Sequence, residues 1–224
     1  MAAPLSHTEP RAQAPPALRL RDLSKTFGGQ KALDRASLEV AQGEVHGLLG
    51  QNGCGKSTLI KVLAGFHSPA PGSRLQIYGT DVALPLGPGA FRKYRMSFVH
   101  QHLGLIPSLT VLENLLVGRL AEREEWAINW GSERSAAKRL FESYDIGLDP
   151  DAKVAEIAPV ERALLAIVRA ITEMGEEGGA GLLILDEPTP FLRKQDVDRL
   201  FRLVRRSSRK APASFSFLTT SMRS

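Results

Sequence analysis

Among its 224 residues the chain has a single cysteine, Cys54, which excludes an internal disulfide and makes the cytoplasm the natural compartment. It also lacks any run approaching the roughly 18 to 20 apolar residues of a membrane-spanning helix, so a role at a membrane has to pass through a partner. The first stretch, MAAPLSHTEPRAQAPPALR, has no apolar signal-peptide core and is rich in Ala and Pro; residues 1–16 are read as a disordered leader. No internal repeat is visible. What is present is a globular, soluble composition, 43% apolar and 24% charged, in a length that suits one domain with a subdomain and ample core. The net charge of +5 gathers between Arg193 and Arg223, which reads as a solvated helix face and a basic tail rather than a nucleic-acid footprint.

LRLRDLSKTF and ALDRASLEV alternate apolar with polar residues around Gly28-Gly29 and predict two paired strands at an edge. GEVHGLLG predicts a short strand entering a Gly-rich turn, and KSTLIKVLAG a helix stopped by Gly65. LQIYG and RMSFVHQ add strands, for a mixed sheet. From about residue 103 to 175 the strand signal is absent, and TVLENLLVGRL, SERSAAKRLFESYD and PVERALLAIVRAITEM predict a helical insertion. LLILDEP then reads as a fully buried parallel strand, and KQDVDRLFRLVRR as a closing helix. Together these define an α/β core, residues 17–206, with an antiparallel β region at its N-terminal end and a helical subdomain.

GQNGCGKST, residues 50–58, fits G-x-x-x-x-G-K-[ST] between a strand and a helix. Glycines let backbone amides curl around phosphate oxygens, the helix start adds a positive dipole, and Lys56 reaches the terminal phosphates. The Ser57 hydroxyl suits magnesium. Nucleotide binding is assigned to Gly50, Asn52, Gly53, Cys54, Gly55, Lys56, Ser57 and Thr58. Asp186, at the end of the strand read in LLILDEP, is a second magnesium residue, and Glu187 a residue that orients or deprotonates an attacking water.

At these motifs residues 18 to about 206 resemble the ATP-binding subunit of ABC transporters, which implies a P-loop NTPase core, ATP and Mg2+ as ligands, and hydrolysis. The resemblance places Phe27 where that family stacks an aromatic on adenine. It puts Gln101 at the Q-loop, in contact with magnesium, catalysis and the membrane partner. It also implies membrane permease subunits and a second ATP-binding domain as partners, no nucleic acid, and a cytoplasmic position on the inner face of the membrane. LGLIPSLTVLENLLVGR, VERALLAIVRAI and EPTPFLRKQDVDRLF, with Arg193 where the usual Asp is absent, look most like the first ATPase domain of monosaccharide importers of the ribose or galactose type.

Two departures bear on turnover. The family's L-S-x-G-Q signature aligns with IAPVE, residues 157–161, where Ala158 lacks a hydroxyl and Val160 replaces a glycine. Pro159 still fits a first helical position, and a helix start aimed at an anion and one that merely packs both remain open. The second departure is the end, SSRKAPASFSFLTTSMRS. It shows neither helix nor strand periodicity, so residues 207–224 are read as an aberrant tail, and Thr219 and Thr220 stand where the family places Ser-His. Read in a shifted frame, the tail's codons permit Phe-Val-Ser-His-His-Val-Asp-Glu-Val, a buried strand with the missing imidazole, so a lost reading frame is the expected origin. Without that tail's strands, a sheet edge is expected to stand uncovered. Two further readings follow: a nucleotide-binding but hydrolytically impaired module, truncated or regulatory, and a small-molecule kinase that shares only the phosphate loop.

Overall fold

A computed structural model describes residues 14–51, 53–100, 102–120, 128–175, 181–186 and 215–219. Strands β1 (Leu18–Phe27) and β2 (Gln30–Val40) form an antiparallel hairpin closed by Gly28 and Gly29. Both glycines have positive φ, 51° and 85°, as a two-residue turn matched to the strand twist requires. After β3 (Val45–Gly47) and helix α1 (Lys56–Leu63), strands β4 (Arg74–Ile77) and β5 (Thr80–Val82) join this hairpin in the order β2-β1-β4-β5. The short β5 carries no sequence pattern of its own and forms because β4 offers an unpaired edge. Contact with the sheet begins slightly before residue 17, since the Gln42 side chain donates to Pro15 O at 2.7 Å.

The second sheet is parallel. Strand β6 (Met96–Val99) pairs with β7 (Gly181–Leu185), in the order β3-β8-β7-β6, with β8 formed by Phe215–Thr219. Between β6 and β7 lie helices α2 (Val111–Leu120), α3 (Trp130–Ser143) and α4 (Pro159–Gly175), the expected helical subdomain. Their starts follow from the sequence. In TVLE, Thr110 Oγ1 accepts from Glu113 N at 3.1 Å while the Glu113 carboxylate accepts from Thr110 N at 2.7 Å, a reciprocal cap. Asn129 caps α3 through Ser132 N at 3.1 Å.

The continuous apolar run of β7 is explained by its two faces. Leu182 and Ile184 pack with Ile60, Leu63, Leu18 and Leu20 on the α1 side. Leu183 and Leu185 pack with Leu164, Ile167, Val168 and Phe141 on the helical side. A strand covered on both faces has no solvent side to alternate toward.

Strand β8 differs from the sequence expectation. Part of the tail read as patternless pairs in parallel with β7, Gly181↔Phe215 to Leu185↔Thr219, and with β3, Val45↔Phe217 to Gly47↔Thr219. The gap between β3 and β7 is therefore filled rather than open. Five residues with two Phe and a Thr suit a strand, and two flanking strands supply backbone partners that a short segment does not advertise. The helix read into 194–206, the residue Arg193 and the rest of the tail lie outside the described residues.

Candidate nucleotide site

The phosphate loop joins β3 to α1. Gly53 and Gly55 have φ of 85° and 96°, a region that disfavours side chains. At Gly55 the restriction is also steric: an added Cβ would collide with the Ala32 carbonyl oxygen and lie 2.7 Å from Leu33 Cδ2. Gly55 is the N-cap of α1, with no side chain capping the helix and no acid in its first turn. The first amides of α1 thus lack helical acceptors and face outward with the positive end of the dipole. The Ser57 side chain lies in this exposed first turn, with Thr58 half-buried beside it.

Lys56 is folded over its own loop. Its ammonium donates to Gly50 O at 2.6 Å and Gln51 O at 3.0 Å, and lies 3.6 Å from Cys54 Sγ. Cys54 is exposed and hugs the loop's base, where a Cβ on Gly50 would come within 2.6 Å of its sulfur. Gly50, Gly53, Cys54, Gly55, Lys56, Ser57 and Thr58 are therefore brought together in one turn. Asn52 lies outside the described residues.

Asp186 follows β7, with its backbone N donating to Val99 O at 2.8 Å. The last residues of β3, β8 and β7, namely Gly47, Thr219 and Leu185, are in register, so the loop after β3, Thr219 and Asp186 stand at the same end of the parallel sheet. Open α/β sheets bind ligands beyond this carboxyl edge. A hydroxyl and a carboxylate are the hard oxygen donors magnesium takes alongside phosphate and water, so Ser57 and Asp186 fit that ion. Gln101 and Glu187 lie outside the described residues.

Phe27, at the end of β1, is 44% exposed. His67 meets its edge at a centroid distance of 5.1 Å, and Lys25 Nζ stands 5.0 Å from its centroid. Lys25 is itself fixed by donating to Ser68 O at 2.8 Å. Sequence reasoning missed Lys25 and His67, since neither belongs to a motif.

The signature-like segment is closed on itself. Ala158 N donates to Glu161 Oε2 at 2.8 Å. Arg162 braces the approach through Ile157 O at 3.2 Å and Ala155 O at 2.9 Å. Val160 packs against the helical core. A carboxylate already occupies one amide at this helix start, so of the two readings the packing one accounts for every described contact.

A Gly-lined loop between a parallel strand and a bare helix start, with a lysine at its end and an acid two strands away at the same end of the sheet, defines a phosphate-binding protein of the P-loop type. Residues 33–190 match the ABC transporter family, and the chain belongs to that family. It is 37% identical over 190 residues to a ribose import ATP-binding protein (RbsA 2) of Rubrobacter xylanophilus, covering 84% of this chain and 35% of that protein. It is 38% identical over 192 residues to an arabinose import ATP-binding protein (AraG 1) of Burkholderia ambifaria, covering 84% and 36%. The chain thus spans about a third of the length of these curated relatives. Among solved structures, the ADP conformation of MJ1267, an ATP-binding cassette of an ABC transporter, superposes with a TM-score of 0.75 at 25% identity, covering 93% of this chain and 82% of that one. Among the described residues no helix is long and apolar enough to cross a membrane.

Proposed function

We propose that the chain binds MgATP at residues 50–58 and serves as the ATP-binding domain of a transporter that imports a carbohydrate. In this reading it sits on the cytoplasmic face of the membrane beside permease subunits and pairs with a second ATP-binding domain. The observation that carries the reading is the uncapped, acid-free start of α1 behind Gly55, a ready-made anion site. Its names for substrate and direction come from the import proteins it is similar to.

The chain's own groups divide the work. Loop and α1 amides donate to the phosphate oxygens. Lys56 exchanges the neutral carbonyls of Gly50 and Gln51 for charged phosphate oxygens, which form stronger hydrogen bonds. Phe27, braced by Lys25 and His67, offers a ring face to adenine. Ser57, Asp186 and Gln101 would hold magnesium, which would supply positive charge to offset that of the terminal phosphates. Glu187 orients or deprotonates the attacking water.

A second reading, binding with impaired hydrolysis, is favoured by the Glu161–Ala158 contact and by Thr219 at the strand end where the family has Ser-His. Measuring ATP affinity and turnover together, with the permease and a partner domain present, separates the two. Tight binding with turnover supports transport-coupled hydrolysis, tight binding without it supports the impaired module, and no binding refutes both. If the signature is weakened, Val160→Gly with Ala158→Ser raises turnover; unchanged turnover means that the segment only packs. Phosphate transfer to a small acceptor would instead support a kinase.

A further inference from the structure

Helix α4 is fastened at both ends of β6. Before the strand, Arg95 Nη2 donates to Met174 O at 2.7 Å, in the last helical turn, where carbonyls lack helical partners. After the strand, Arg169 donates from Nη1 to Gly104 O at 2.9 Å and from Nη2 to Leu103 O at 3.1 Å. Leu103 and Gly104 both have left-handed backbones, φ 54° and 58°, and a leucine there is strained. The turn's own backbone bonds are short-range, Leu103 N to His100 O and Gly104 N to His102 O; Leu103 packs against the helical core, and the arginine adds hydrogen bonds that tie the turn to α4. The fit is close, since a Cβ on Gly104 would lie 3.3 Å from Arg169 Nη2.

The guanidinium is itself held in place. Its side chain is only 18% exposed, and Nε lies 3.9 Å from Glu173 Oε1. Burial pushes the Arg169 pKa down, against the opposing pull of Glu173. Glu173 in turn lies against α2, where a Cβ on Gly118 would come within 2.7 Å of its carboxylate oxygen. A planar fork that grips two successive carbonyls is a geometry lysine does not reproduce.

Resting on the nucleotide-site reading above, we propose that Arg169 is a positioning residue that couples the turn at 102–104 to α4. The turn follows Gln101 directly in sequence. A shift of that turn on nucleotide binding is then carried along α4 to its start at Pro159, roughly 15 Å away at 1.5 Å per residue. The helix between is stiff: Leu164, Leu165, Ile167 and Val168 are fully buried, and a packed element with a contact at each site is what such coupling needs.

Hydrogen exchange on the full chain, with and without MgATP, tests this at segments 50–58, 102–105 and 157–163. In the wild type MgATP slows exchange in all three, by about tenfold at 157–163, the size a charge-assisted hydrogen bond supports. Arg169→Ala keeps the slowing at 50–58 and loses it at 157–163, and Arg169→Lys, with one donor site, falls between. A merely structural arginine would speed exchange along α4 without nucleotide yet leave the MgATP-dependent difference intact, and that result overturns the proposal. If Arg169→Ala does not fold, Arg169→Lys decides alone: a wild-type difference at 157–163 overturns the coupling. No slowing at 50–58 in the wild type refutes the nucleotide site itself, and the coupling with it.

Discussion

Asn114 is a fully buried polar residue in α2, 0% exposed, and it holds the loop that leads from the turn at 102–104 into that helix. Its Oδ1 accepts from Ile106 N at 2.7 Å, and its Nδ2 donates to Ile106 O and Thr110 O, both at 3.0 Å. Asn114→Ala leaves the Ile106 N–H without its acceptor, at about 1–3 kcal/mol for a buried unpaired donor. The two carbonyls retain other donors, Leu109 N at 3.2 Å and Asn114 N at 3.0 Å, so each lost bond costs only about 0.5–1 kcal/mol. The expected loss is about 3 kcal/mol, read by urea unfolding with the slope unchanged. Asn114→Asp adds a signature. It keeps the Ile106 N bond but turns a carboxylate oxygen toward two carbonyls, which raises its folded pKa above the ordinary value near 3.9. Its penalty is therefore smallest below that value and grows as pH rises through the folded pKa. An Ala variant that loses less than about 1 kcal/mol, or an Asp variant with wild-type stability at pH 7, would refute the reasoning.

Thiol alkylation of exposed Cys54 should abolish nucleotide binding, with bound ATP protecting the thiol; alkylated protein that still binds ATP contradicts the site. Glu113 has its pKa lowered from 4.5 by hydrogen bonds from Thr110 N and then Thr110 Oγ1, so its contribution to stability is present above 4.5 and lost as pH falls through the lower folded value. Glu113→Gln should flatten the acid limb of the stability profile in urea titrations between about pH 5 and 3. Thr220→His, at the position the resemblance gives to the histidine, should raise turnover beside the partner domain by about 100-fold, the low end for a positioned acid–base group; no gain would show that this position does not reach the reaction. A lost reading frame predicts that the coding DNA from about codon 207 encodes, in the shifted frame, an apolar run followed by His. A stop codon in that frame, or no His, eliminates it.

The site was legible where backbone chemistry restricts residue choice. Gly53 and Gly55 stand at positive φ, and the glycine-lysine spacing carries that requirement in the open. The start of α2 was equally readable, because Thr110 and Glu113 satisfy each other locally, whereas α3 begins at Trp130, two residues before the stretch read as helical. Strand β8 was not legible, since its stability comes from two flanking strands distant in sequence rather than from its own alternation. The same holds for β5 and for the arginine contacts: Arg169 meets Leu103 and Gly104 from 65 and 66 residues away, and no local pattern encodes a long-range tie. The signature-like segment shows the opposite case, where substitutions at Ala158 and Val160 were visible but the Glu161 cap that closes the helix start emerged only in three dimensions.

The central claim, that residues 50–58 hold the phosphates of MgATP, is tested most directly by calorimetric titration of MgATP into the wild type and Lys56→Ala. The account predicts one site per chain, competition by ADP, and an affinity at least about tenfold weaker in the variant, the loss of one charge-assisted hydrogen bond. Absence of binding by the folded wild type, or equal affinity in both proteins, would contradict it.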